Sequence, residues 1–250
     1  MTKFINLIWV LAYKNLKLKY KNSILGFFWS MINPLMYLII FAFIFSNVFS
    51  DIERYPLYTL SGLVFWTFFS TSTIQVIESL IASSGVLKSI NLPTIAFPLS
   101  SQLSAILSLG LTMIPFSILM VFFGLKFTWE LLWFFPIFIS FSLFTFGVSL
   151  ILSSLNVYFR DVQLAWSSLL PAIFYSTPIA YSTSFIPAKF DWVLKLNPLY
   201  YYVTCLRDVL YYNQFPNPIN FAICIGLGFA CLAVGIFIFK KLEKGFVSQF

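Results

Sequence analysis

Long apolar stretches without a charged residue alternate along this chain with short polar segments. The six longest stretches between successive charged residues hold 29, 23, 37, 29, 27 and 31 residues. A helix needs about 20 apolar residues to cross a bilayer core, so each stretch can hold one span. The longest begins with Asn91, Pro93 and Pro98, which favour a loop before a single helix. The pattern predicts an all-α integral membrane protein with six transmembrane helices, at residues 24–49, 57–77, 99–125, 131–158, 162–183 and 219–239.

Residues 3–22 carry a different pattern, in which lysines flank an apolar stripe. Apolar side chains recur at helical spacing from Phe4 through Ala12 to Tyr20. This arrangement predicts a basic amphipathic helix that lies in the membrane interface. Two interpretations stay open: a simple anchor for the first span, or a lateral element that borders a substrate opening from the cytoplasmic leaflet.

Two longer polar segments, residues 78–98 and 184–217, connect predicted spans. The first has a short helix signal at Ser79–Leu87 and ends near Pro93, so it fits a partner-docking surface or an ordinary connector equally well. The second has two amphipathic stretches, at 188–196 and 199–212, that are too short or too polar to cross. They predict short re-entrant or surface helices before the sixth span.

Composition and charge exclude a soluble or disordered protein and orient the chain. Hydrophobic residues make up 60% of it and charged residues 9%, against roughly 45–50% and about 25% in soluble domains. Ten of the 15 Lys and Arg residues, but only three of the eight acids, fall on the side of the two termini. The positive-inside rule therefore places both termini in the cytoplasm. The net charge of +7 reflects topology and anionic headgroups rather than a nucleic-acid partner.

The sequence lacks the groups that most catalytic and coupled functions need. It has no histidine, no G-x-x-x-x-G-K-[ST] loop and no charge deep in a predicted span. We therefore expect no catalytic residue, no metal site and no bound cofactor, and any energy for uphill work must come from a partner. Cys224 and Cys231 are too far apart along one helix to bridge, and Cys205 has no partner in its own loop.

Aromatic residues are abundant, with 32 Phe, 13 Tyr and 7 Trp. Most of them fall where an interfacial belt would place them. Tyr37, Trp66, Phe174 and Tyr175 lie in the middle of predicted spans instead. Aromatic rings stack on sugar faces without a fixed hydrogen-bond pattern, so these four fit the lining of a glycan path or plain packing.

Three motifs in order resemble permeases of type-2 ABC exporters for polysaccharides. The first is YKNSILGFFWSMINPL at residues 20–35, with Leu25, Gly26, Trp29, Asn33 and Pro34 as its core. The others are NVYFRDV at residues 156–162 and NPLYYYVTCLRDVLY at residues 197–211. The order, the spacing and the six-span layout match along the whole chain.

The resemblance implies that residues 1–250 form one ABC type-2 transmembrane domain, half of a transporter in the inner (cytoplasmic) membrane of a bacterium or archaeon. A second copy would complete the channel, and two separate ABC ATPase subunits would bind ATP and Mg. The substrate would be a polysaccharide linked to undecaprenyl diphosphate. O-antigen is favoured, with teichoic acid or capsular polysaccharide as alternatives. A stand-alone channel and a membrane-embedded glycan-lipid enzyme are competing classes, although the spans offer few selective polar groups and no evident acid or base.

The resemblance also suggests roles for particular residues. Substrate would enter beside the cationic and aromatic group Lys17, Lys19, Lys21 and Trp29. The first and fifth spans would line the channel with Tyr37, Phe174 and Tyr175. The coupling segment would use Val86, Leu87 and Lys88, and the turn of Arg160 and Asp161 would be a second ATPase contact or merely a boundary pair. The outer gate would involve Asn197, Arg207 and Asp208.

Overall fold

A computed structural model describes residues 2–249 except 20, 22, 24, 25, 27, 47, 50, 51, 90, 91, 126 and 127. Within that part of the chain, all regular secondary structure is helical. Short 3-10 turns precede α6 and α8. The α-helices are α1 (Thr2–Lys19), α2 (Phe28–Phe45), α3 (Tyr55–Ala82), α4 (Ser84–Ser89), α5 (Ala96–Phe122), α6 (Phe134–Tyr158), α7 (Asp161–Ser176), α8 (Asp191–Leu196), α9 (Pro198–Leu210), α10 (Pro218–Glu243) and α11 (Phe246–Gln249).

Six helices, α2, α3, α5, α6, α7 and α10, occupy the six uncharged stretches. A cluster that includes Leu80, Phe97, Val157 and Phe246 joins the ends of α3, α6 and α10 to the start of α5. We call this side the termini face, because α1 and α11 also pack there. The side where α3 and α10 begin is the opposite face.

Four helical segments are long and apolar enough to cross a membrane, as judged from the described residues. They are Tyr55–Ser89, Ala96–Phe122, Trp129–Tyr158 and Pro218–Glu243. The other two candidates, α2 and α7, have 18 and 16 residues. At 1.5 Å per residue α7 is about 24 Å long, which is shorter than a hydrocarbon core of about 30 Å. The chain is thus an all-helical integral membrane protein, and the count of six crossings remains a prediction.

Two of the differences between predicted and observed helix ends have a clear local cause. The short helix expected at Ser79–Leu87 is displaced, because α3 continues to Ala82 and a break at Ser83 precedes α4. Pro171 lies inside a continuous α7, whereas the helix ends at Ser176, two residues before Pro178. A proline disfavours helical geometry in the residue before it, which accounts for an end just short of Pro178.

The core is aromatic and contains a few buried polar bridges. Tyr202 of α9 is fully buried, and its hydroxyl donates to the Cys224 carbonyl at 2.7 Å. Gln102 of α5 accepts from Ser72 and donates to the Ser142 hydroxyl at 3.2 Å, so it links α3, α5 and α6. Each bridge satisfies polar groups inside the protein, as a low-dielectric environment requires.

The structure also gives Cys205 a neighbour that its own loop did not offer. The Cys205 sulfur, on α9, lies 4.0 Å from the sulfur of Cys224 on α10, and both thiols are free and buried. Two distant segments of the chain therefore bring this pair together, whereas spacing within the loop could not reveal it.

Glycines allow α6 and α10 to pack backbone to backbone. A Cβ at Gly235 would lie 2.5 Å from the Gly147 carbonyl oxygen, and one at Gly228 would lie 2.6 Å from the Ser140 hydroxyl. Gly226 faces open space instead. Small residues are typical of such close helix contacts in membranes, so the glycines of the sixth apolar stretch are a sequence signal for this contact.

Replacing Gly235 by valine should therefore push α10 away from α6. Overpacking of this kind costs about 1–3 kcal/mol, so we expect a lower melting temperature for the purified protein in detergent, followed by tryptophan fluorescence. Gly226→Val is the matched control on the same helix and should melt close to the unmodified protein. Equal melting of both variants would contradict the close contact.

Candidate functional site

The N-terminal helix α1 docks against the start of α5 on the termini face. Ala12 is fully buried, and the Asn15 side-chain amide donates to the hydroxyls of Ser100 and Ser101 at 3.5 Å. Trp9, on the edge of the predicted apolar stripe, stays 55% exposed. The stripe is therefore shared between a docking face and an exposed face, which is what a helix at a membrane surface requires.

An open cleft of about 450 Å³ lies between α2, α3 and α5. Lys19 and Trp29 line it, together with Thr67, Thr71 and Ser108. Lys17 and Lys21 are exposed but do not line this cleft. Of the four residues predicted to admit substrate, the structure thus brings two together at one opening.

A second open cleft, of about 530 Å³, lies on the other side of α2, toward α7. It brings together the three predicted channel residues, because Tyr37, Phe174 and Tyr175 all line it. Trp66 joins them, with its ring 5.3 Å from that of Phe174 in an edge-to-face arrangement. Tyr37 and Tyr175 are 51% and 70% exposed, so their rings are available for contact.

Hydroxyl residues on α3 connect the two clefts, and sequence reasoning missed them. Thr67 and Thr71 line both clefts, and Ser70 lines the second. Their spacing of three and four residues places them on one helix face, which is a signal that the sequence does contain. The Ser70 and Thr71 hydroxyls donate to the Thr67 carbonyl, so two of the three hydroxyl groups have a partner within the helix.

The helix α2 stands between the two clefts and packs lightly. Among its described side chains Leu38 alone is buried, and Leu170 is the one buried residue of α7. Both helices therefore present long apolar faces to the outside of this single chain. They contrast with α3, in which most side chains are buried.

The predicted coupling residues take different positions in the structure. Val86 of α4 is 41% exposed, whereas Leu87 packs against the cluster of the termini face and Lys88 points outward. Arg160 and Asp161 are both exposed at the start of α7. Asp161 lies in the first helical turn, where a negative charge is favoured by the helix dipole.

Beside this turn, a polar network joins the ends of α3 and α6 to the start of α7. The buried Asn156 side chain donates to the Ile77 carbonyl at 3.4 Å and accepts from the Gln163 amide at 3.2 Å. Gln163 in turn donates to the Glu78 carboxylate at 2.6 Å. The turn that carries Arg160 is therefore tied to both neighbouring helices.

On the opposite face, α9 holds the backbone where α7 ends. The buried Arg207 guanidinium donates to the Pro178 carbonyl at 2.6 Å and also to the Ile179 carbonyl. It lies 3.7 Å from the centroid of the Tyr58 ring. Gly62 permits this approach, since a Cβ there would lie 3.0 Å from the guanidinium. We call Arg207 and the two carbonyls the Arg207 clamp.

Further donors satisfy the rest of the broken segment. Tyr55 donates its hydroxyl to the Ala180 carbonyl at 2.8 Å, and Tyr58 donates to the Tyr181 carbonyl at 3.1 Å. The Asn197 amide donates to the Thr177 hydroxyl at 2.8 Å. Asn197 also caps α9, because its side-chain oxygen accepts from the Leu199 amide. Backbone freed by a helix break is tolerated at membrane depth only where protein groups pair with it.

The predicted gate pair Arg207 and Asp208 separates in the structure. Successive helix residues do not face each other, and the half-buried Asp208 carboxylate accepts instead from the Asn217 amide at 3.4 Å, ahead of α10. Burial raises the pKa of Asp208, and that hydrogen bond opposes the shift. Arg207 and Asn197 thus hold the break in the fifth apolar stretch, while Asp208 holds the turn before α10.

Replacing Arg207 by methionine should destabilise the protein, because two buried carbonyls lose their donor. An unsatisfied buried group costs about 1–3 kcal/mol, so we expect a clear drop in melting temperature in detergent. Arg207→Lys should recover little, since a lysine ammonium lacks the guanidinium fork.

The exposed Lys195 provides the matched control. It forms an ion pair with Asp191 at 2.7 Å, and such surface pairs contribute about 0–1 kcal/mol. Lys195→Met should therefore melt near the unmodified protein. If Arg207→Met melts no lower than Lys195→Met, the clamp does not stabilise the fold.

Comparison with known proteins agrees with this architecture. Residues 6–211 match the family described as ABC-2 type transporter. The O-antigen export system permease protein RfbA of Klebsiella pneumoniae is 36% identical over 97% of this chain and 94% of its own length. A protein of the same name from Myxococcus xanthus is 28% identical over 83% of this chain and 81% of its own length. This chain therefore belongs to the ABC-2 type transporter family, as a membrane permease subunit.

Proposed function

We propose that this chain is the membrane half of an ATP-driven exporter of O-antigen linked to undecaprenyl diphosphate. The observation that carries the proposal is the aromatic cleft of Tyr37, Trp66, Phe174 and Tyr175 between α2 and α7. Rings that stack on sugars can hold a passing glycan weakly and repeatedly. The names of the relatives supply the substrate class, and teichoic acid and capsular polysaccharide remain alternatives.

The energy for export would come from two ABC ATPase subunits. The sequence has no phosphate-binding loop of its own. The exposed Val86 on α4 and the exposed pair Arg160 and Asp161 both lie on the termini face. In this proposal that face is cytoplasmic, and these two sites are where the ATPases dock.

Two copies of the chain would enclose the path. The helices α2 and α7 leave apolar faces uncovered in one copy, including Phe43 at 84% exposure. A second copy in a bacterial or archaeal inner membrane would cover them, with six crossings in each copy. The diphosphate head would be drawn to the cleft at Lys19 and Trp29, because cations at the interface attract phosphate.

Changing Val86 to aspartate should uncouple or release the ATPases without unfolding the permease. The side chain is exposed, so a new charge meets the partner rather than the core. We expect at least about tenfold less ATPase copurified, the change that ~1.4 kcal/mol produces. Ser248→Asp, an exposed change on α11, is the matched control. Normal copurification and normal export in Val86→Asp would remove α4 as the coupling element.

Tyr37→Ala and Tyr175→Ala should slow the export of long glycan chains more than short ones. Each ring offers one weak contact to each passing sugar unit, and a longer chain brings more sugar units past that ring. Gel analysis of exported chain lengths measures the effect, with Phe237→Ala on α10, also exposed, as the control. Equal loss at every length would leave these rings as packing residues.

A stand-alone channel is the competing function, and the purified protein can distinguish it from an exporter. A channel would need no ATPase and would move its solute in proteoliposomes that contain this chain alone. Transport that depends on ATP and on a copurified ATPase favours the exporter.

A further inference from the structure

The opposite face carries a third open cleft, with a volume of about 550 Å³. This size lies within the range of about 300–1,000 Å³ that small-molecule sites have. Four segments meet there: the turn before α3 with Glu53 and Arg54, the segment after α5 with Leu125, the segment after α7 with Ser182 and Ser184, and the segment just after α9 with Tyr212. None of these side chains belongs to the clefts beside α2.

Hydrogen bonds tie three of the segments around this outer cleft together. The Tyr211 hydroxyl donates to the Glu53 carbonyl and so ties α9 to the start of α3. The Tyr58 hydroxyl donates to the Tyr181 carbonyl at 3.1 Å, which holds the chain next to Ser182. Tyr211 also meets the Tyr212 ring edge-on, with centroids 4.7 Å apart. The cleft is therefore built before any ligand arrives.

The lining chemistry is that of a carbohydrate site. Glu53 offers a carboxylate acceptor, Arg54 offers guanidinium donors, and Ser182 offers a hydroxyl donor, because its oxygen accepts from the Ser184 hydroxyl. The Tyr212 side chain is 51% exposed, so its ring can take an apolar sugar face. Glu53 and Arg54 carry opposite charges side by side, so the two lining charges offset each other.

We propose that the outer cleft binds sugar units of a neutral or weakly charged polysaccharide. Glu53 and Arg54 hydrogen-bond the sugar hydroxyls and Tyr212 stacks on a ring face. The proposal rests on the proposed function only for its location: the face opposite the termini is where an exported chain would leave. A binding site there would keep the emerging glycan from moving back into the channel.

The test uses the full-length protein in lipid nanodiscs, so that both faces are accessible. The probe is lipid-free polysaccharide, released by mild acid from the strain that encodes this chain, and binding is followed by saturation-transfer NMR. Tyr212→Ala and Glu53→Gln should each weaken the apparent affinity about tenfold, equivalent to ~1.4 kcal/mol. Tyr200→Ala, on α9 but outside the cleft, should bind like the unmodified protein.

Several outcomes would overturn the carbohydrate site. No binding of polysaccharide by the unmodified protein would do so, as would equal binding by all variants. If short-chain phosphatidylglycerol binds and the polysaccharide gives no saturation-transfer signal that depends on Tyr212, the cleft is a lipid-headgroup site instead. Melting temperatures of both variants, compared with the control, separate lost binding from lost fold.

The proposed export function is tested separately, by ATPase copurification and export with the same protein. If ATPase subunits copurify and export proceeds while the polysaccharide does not bind, the exporter stands and the outer cleft fails. If no ATPase copurifies but binding is lost in Tyr212→Ala and Glu53→Gln, the carbohydrate site stands and the exporter fails.

Discussion

The structure depends on one constraint: inside a bilayer, each backbone carbonyl must find its donor within the protein. The helix α7 is too short to cross by itself and ends before Pro178. Four consecutive carbonyls, at residues 178–181, then belong to no helix. Their donors are the side chains of Arg207, Tyr55 and Tyr58. The short outer helix α9 therefore supports the break in the fifth stretch, because it carries Arg207, whose guanidinium serves two of these carbonyls at once.

This arrangement divides the molecule into a packed part and an open part. The helices α3, α6, α9 and α10 share an aromatic core, and glycines bring α6 and α10 into backbone contact. The helices α2 and α7 lie at the edge, with one buried side chain each among those described. The two clefts beside α2 follow from this sparse packing. They are lined by hydroxyl groups on α3 and by aromatic rings on α2, α3 and α7, and in the proposed function this lining would give a passing glycan weak, repeated contacts.

The two faces differ in the chemistry they present. The termini face combines the docked helix α1, the exposed Val86 and a hydrogen-bonded link from Glu78 through Gln163 to Asn156. That link joins α3, α6 and α7 beside the segment that carries Val86. The opposite face combines carboxylate, guanidinium, hydroxyl and aromatic groups around the outer cleft. In the export proposed above, uptake of a phosphate-bearing lipid on one side and release of a neutral chain on the other would use such an asymmetry.

The sequence by itself determined the six apolar stretches, because a charge in lipid is expensive and interrupts a span wherever it falls. It also determined the amphipathic helices α1, α8 and α9 and the close contact of α10, since periodicity and small residues are local signals. The tertiary structure alone decided what the polar residues pair with. Arg207 stands next to Asp208 in the sequence but binds carbonyls 28 and 29 residues away, because adjacent helix positions point in different directions. Likewise Lys19 lines the cleft between α2, α3 and α5 while Lys17 does not, and Val86 is exposed while Leu87 is packed. Such differences arise from how helices meet, and that depends on residues distant along the chain.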